Sequence, residues 1–229
     1  MLKKSLVVSA ILVASLNAGM FGDLASSALG GGSSAPTVSG NDVKAVLTTF
    51  QQAETGLNNS VKLIDSALGD KAQVAKFDAQ EKSINAMPNG SEKDAATKIL
   101  NEDRLAEAKK ISDSKDTQDK AKKLSSEQKA KVGISISNLL LVALKDTEGL
   151  TRAKALVASI SSNPSAAMQF ASDLPKLKDI VTTVPTQVSS LGTITSGLVK
   201  VAQSADIKYN ANPKTTDNLT EVSDSVAMN

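Results

Sequence analysis

The chain has 229 residues, enough to bury a core within one domain, and it contains no Cys, His or Trp. Disulfides, thiolate and imidazole metal sites, Cys nucleophiles and His-based triads are thereby excluded. Lys and Arg number 26 against 24 Asp and Glu, and Lys3 and Lys4 carry the excess, so the rest is neutral and lacks the positive field that nucleic acid would need.

Met1-Leu2-Lys3-Lys4 precedes an uncharged stretch that is most apolar over residues 6–16. That is the layout of a secretory signal peptide, and the apolar part falls short of the roughly 20 residues of a membrane-spanning helix. Residues 1–18 are expected to be the signal, with Ala18-Gly19 as the best cleavage point, and residues 19–40 a Gly/Ser-rich flexible leader. The glycine run Gly30-Gly31-Gly32 lacks the Gly-Lys-Ser/Thr ending of a phosphate-binding loop. A periplasmic or secreted protein is expected.

Asn41 or Asp42 is placed to cap a first helix over residues 43–68, in which Val43, Phe50, Leu57 and Ile64 recur every seven residues and Gly69 stands ready to close it. A weaker helical pattern spans 70–112, with Pro88-Asn89-Gly90 as a turn inside it. Residues 92–131 hold 11 basic and 9 acidic side chains, with acid-first pairs four apart such as Asp119/Lys123 and Glu127/Lys131, the mark of a solvated helix face. Residues 112–120 carry no apolar side chain and are expected to be an exposed connection or a hairpin tip beyond the core.

Ser125 or Ser126 can cap a third helix over 125–161. Ile136, Ala143, Leu150 and Val157 form one of its seven-residue lines; Val132, Leu139, Ala153 and Ile160 form the other, broken by Asp146. Asp146 is expected either to pair at the helix edge with Lys145, Arg152 or a partner helix, or to be a buried polar residue that fixes register. Asn163-Pro164 opens a fourth segment, 164–205, whose seam runs through Phe170, Leu177, Val184, Leu191 and Leu198. Pro175 and Pro185 should break or kink it, with Asp173 and Thr183 as local caps. Residues 206–229, rich in Asn, Thr and Ser, are expected to form a loosely packed tail.

The fold expected is all-α: an elongated antiparallel bundle of about four long helices, with a domain over residues 41–205. Its structural seam is Phe50, Leu57, Ile64, Leu139, Leu150, Val157, Phe170, Leu177, Val184, Leu191 and Leu198, with Asp146 as the candidate buried polar residue.

No residue pattern rises to an enzyme's. Ser126 and Lys129 have the spacing of a serine nucleophile and its lysine base, but the companion motifs are missing. Asp113, Asp116 and Asp119 lack the alternate spacing, the Gly and the closing Glu of a calcium loop. Glu102, Asp103 and Glu107 have no apolar wall to shift a carboxyl pKa. No catalytic residue, metal or cofactor is assigned. The uncharged run 180–199 is long enough to cross a bilayer but is rich in Ser and Thr. The function expected first is that of a non-enzymatic scaffold or adaptor for a protein partner in the envelope or outside the cell, with no nucleic-acid partner. The alternatives are a pore-former that inserts residues 132–205 and a helical carrier of an apolar ligand.

Overall fold

A computed structural model describes residues 38–220. The expected signal, most of the leader and the last nine residues lie outside them. The described residues form seven helices and no strand: α1 (Gly40–Leu68), α2 (Lys71–Asn85), α3 (Ser91–Asp113), α4 (Lys115–Lys122), α5 (Ser126–Ser162), α6 (Pro164–Gln169) and α7 (Leu174–Ser204).

Local chemistry sets most of the boundaries. The Asp70 carboxylate accepts the Ala72 and Gln73 amides and starts α2. Ser125 and Gln128 form a reciprocal capping box at α5, and the Asn163 side chain accepts the Ser165 and Ala166 amides ahead of Pro164 in the first turn of α6. Asp206 takes the left-handed conformation (φ 54°) just past α7, where the Ile207 amide donates to Ala202 O at 2.9 Å. This is the closure by which a helix satisfies its last carbonyls and turns the chain back.

The helices are shorter and more numerous than the periodicity suggests. The expected 70–112 segment is α2 and α3, separated at Pro88-Asn89-Gly90. The 164–205 segment is α6 and α7, parted by a turn at Phe170. Pro175 sits in the first turn of α7, where it costs no hydrogen bond, and the Asp173 side chain makes no cap bond. At Pro185 the helix runs through. The Thr182 and Thr183 hydroxyls donate to the Lys178 and Asp179 carbonyls at 2.9 Å, so Thr183 is an interior residue and not a cap. Gly69 ends α1 with an ordinary backbone; a Cβ there would collide with the Asp65 carbonyl, so close approach is what requires glycine.

The central helix is α5, which packs against α1 and α7, while α3 bridges α1 and α7 and α2 lies along α3. Val132, Leu139, Asp146, Ala153 and Ile160 are its innermost line, each 0% exposed. The line predicted beside it turns outward after Ile136, leaving Leu150 and Val157 half-buried. Phe50 is likewise half-buried, resting on Gly149, where a Cβ would come within 2.8 Å of its ring. The other seam positions are buried.

Two further expectations give way. Residues 112–120 are not an exposed connection: they include most of α4, whose Thr117 and Ala121, four residues apart, are buried on a face held against α7. Small side chains can approach a neighbouring helix as well as large ones can fill space. Nor is the C-terminal segment loose over its described part, to Thr220. It follows α5, with the Asn210 amide donating to Ser137 Oγ (2.8 Å) and Lys145 Nζ donating to Thr215 O (2.8 Å). It then doubles back, where Asn138 exchanges two hydrogen bonds with the Thr220 backbone at 2.9 and 3.0 Å. Gly133 admits the Lys208 carbonyl and Gly56 admits Leu219. Apolar periodicity is blind to a segment held by amides and carbonyls.

Candidate functional site: the cleft between α1, α3 and α7

A cleft of about 1040 Å³ lies between α1, α3 and α7, with one residue of α5, Asp146, at its floor. Each wall is one helical face. Phe50, Glu54, Leu57 and Asn58 come from α1 at the spacings that share a side, and Thr97, Asn101, Leu105 and Lys109 come from α3. Ile180, Thr183, Gln187, Ser190 and Ile194 line the α7 side. The cleft persists because short polar side chains on α3 and α7 face each other across it. Thr97 and Asn101 cannot seal against Thr183 and Ser190 as aliphatic knobs would, and the Asn101 amide reaches Glu54 at 3.4 Å. Closer to its C-terminus α3 does meet α7 tightly: Gly197 lies under Ser112, whose carbonyl would be 2.6 Å from a Cβ there.

The floor carries the unusual electrostatics. Asp146 is 0% exposed. Its Oδ2 accepts the Gln187 amide at 3.0 Å, and its Oδ1 has no hydrogen-bond partner among the described residues. Burial pushes its pKa up to about 7; the Gln187 hydrogen bond opposes the shift and the nearby Glu54 carboxylate adds to it. Arg152 is engaged with Glu148, and Lys145 with Thr215, so the partner helix is what holds Asp146.

A second buried carboxylate, Asp65, is 3% exposed in α1, and neither of its oxygens has a hydrogen-bond partner among the described residues. Burial raises it to about 7, with Arg104 pulling it down and Glu107 pushing it up. Arg104, 5% exposed, ties α3 to α2: it donates to Glu81 at 2.8 Å and lies 5.7 Å from the centre of the Phe77 ring. Burial alone would raise Glu81, but Arg104 and Lys62 together hold it below its ordinary value.

The other residues singled out in the sequence do not converge. Ser126 is the first residue of α5, next to the Ser125 cap, and is exposed. Asp113 ends α3, whereas Asp116 and Asp119 belong to α4, and Asp119 pairs with Lys122 at 2.9 Å. Among the described residues no acidic cluster is arranged to hold a metal ion. Glu102 is on the cleft rim, Asp103 is exposed on α3, and Glu107 bonds Lys110 at 3.1 Å. Sequence reasoning missed Asp65, Arg104 and Gln187. Each had a faint signal: Asp65 follows the seam residue Ile64, Arg104 is one of only two Arg, and Gln187 stands three residues after Val184.

No protein-family model, no curated protein and no solved structure matches this chain.

Proposed function

We propose that the chain is an exported, non-enzymatic helical protein, an antiparallel bundle whose long segments enclose a binding cleft, and that it carries a ligand with an apolar part. The observation that supports this reading is the cleft itself. About 1040 Å³ of concave space is at the upper end of the range for small-molecule sites, and the half-buried Phe50, Leu105 and Ile180 give it an apolar lining. This moves the carrier ahead of the adaptor that the sequence suggested first. An adaptor would use the exposed faces of α3 and α4, where charges such as Lys110–Glu107 and Lys122–Asp119 already satisfy one another. For the pore-forming alternative no specific observation speaks: among the described residues no helix is long and apolar enough to cross a membrane.

Native mass spectrometry of the protein purified from its own envelope or medium fraction tests the reading. A small-molecule adduct is expected, lost when Ser190→Trp fills the cleft. A bare chain that crosslinks to a protein partner through α3 would return the adaptor to first place. N-terminal sequencing of the same material should start between Gly19 and Ser27; a chain that begins at Met1 in the cytosol would contradict export.

A further inference from the structure

The carrier reading leaves open what head group the ligand bears, and the cleft's charges bear on it. Four carboxylates line it, Glu54, Glu102, Asp146 and Asp179, against two ammonium groups, Lys98 and Lys109. Both lysines are exposed, as are Glu54, Glu102 and Asp179, whereas Asp146 is at the floor. A carboxylate accepts up to about four hydrogen bonds, and Asp146 receives one, from an uncharged amide. A buried acceptor left unmatched in this way is costly to the fold, and a donor brought in by a ligand offsets that cost. Above it, the half-buried Phe50, Leu105 and Ile180 offer apolar surface, and the Phe50 ring can attract a cation.

We propose, resting on the carrier reading, that the cleft takes an amphipathic primary amine, with its ammonium donating to Asp146 and its apolar chain lying along Phe50, Leu105 and Ile180. An ammonium matches the excess of negative charge. A fatty acid of the same length would bring a further negative charge to the floor, and an alcohol would supply a donor without the charge. The charged groups around Asp146 are Glu54 on α1, Lys98, Glu102 and Lys109 on α3, and Asp179 on α7. Because burial holds Asp146 near 7 in the empty cleft, it is more fully ionised at pH 8 than at pH 6, so affinity for the amine should rise over that interval.

The test is calorimetric titration of the chain with octylamine, 1-octanol and octanoate at pH 6 and pH 8. At pH 8 octylamine should bind about tenfold or more tighter than octanol, and octanoate no tighter than octanol. The preference for the amine should shrink at pH 6. Asp146→Asn keeps the shape and removes the charge, so it should bring octylamine to the level of octanol. If that variant fails to fold, Gln187→Lys, which supplies the floor with its own ammonium, should have the same selective effect. Equal binding of amine and alcohol, or a preference that survives both substitutions, overturns the amine assignment while leaving the carrier reading in place. Binding of none of the three probes overturns both.

Discussion

Asp65 and Asp146 are both buried, and burial pushes both up to about 7, but their surroundings differ. Asp65 sits where α3 crosses α1, with the Arg104 guanidinium as its nearest compensation and Phe77 and Glu81 holding that guanidinium in turn. Among the described residues Asp146 has only the Gln187 amide as a hydrogen-bond donor, and the cleft lies above it. The comparison teaches that burial of a carboxylate does not itself mark a binding site. At the Asp65 end an internal cation serves the fold; at the Asp146 end, among the described residues, no cation pairs with the carboxylate, which lies 0% exposed beneath the cleft.

The largest effect that sharpens this contrast comes from the packed region beyond the cleft. Leu191, 0% exposed in the main core, should not tolerate Leu191→Asp: an unpaired buried charge costs about 4 kcal/mol or more, a large share of a domain's stability, measurable by urea denaturation.

The second effect is pH-dependent and involves both carboxylates. Their folded values lie above the ordinary 3.8, so the folded state binds more protons than the unfolded one between about pH 4 and 7. The stability they contribute is full below about pH 4 and is lost as the pH rises through 7, by about 4 kcal/mol for each group. Thermal melts should therefore show a higher Tm at pH 5 than at pH 8, and the double variant Asp65→Asn, Asp146→Asn should flatten the difference. An unchanged profile in that variant would place the pH dependence elsewhere.

The third separates the two sites. Arg104→Ala should cost about 2–3 kcal/mol at pH 8, since it leaves Asp65 without its cation and Glu81 with Lys62 alone, and less at pH 5, where Asp65 is protonated. Octylamine binding should be unaffected by it. Smallest of all, Thr183→Ala on the cleft wall removes an exposed hydroxyl bonded within its own helix and should cost under about 0.5 kcal/mol in chemical denaturation.

Much of the fold was legible because seven-residue apolar lines force helices and because caps such as Asp70, Ser125 and Asn163 are local chemistry. What was not legible depends on partners distant in sequence. Thr117 and Ala121 become core only because α7 comes close, and Asn138 has a role only because Thr220 returns to it. The α5 face was misjudged at Leu150 and Val157 for a related reason. Asp146 looked like an exception to an apolar line, yet the helix turns that line innermost, and the polar residue that makes this tolerable, Gln187, lies 41 residues away. The cleft could not be read at all, since it is made by what Thr97, Asn101, Thr183 and Ser190 fail to fill.

The proposed ligand occupies the cleft, whereas the Arg104 cluster holds α3 to α2. Since the chain has no Trp, Phe50→Trp on the cleft wall and Phe77→Trp beside Arg104 each create a single fluorescent reporter. Titration with octylamine should change the emission of Phe50→Trp saturably and leave that of Phe77→Trp unchanged. A saturable response at Phe77→Trp with none at Phe50→Trp, or the same unsaturating drift in both, would contradict that placement.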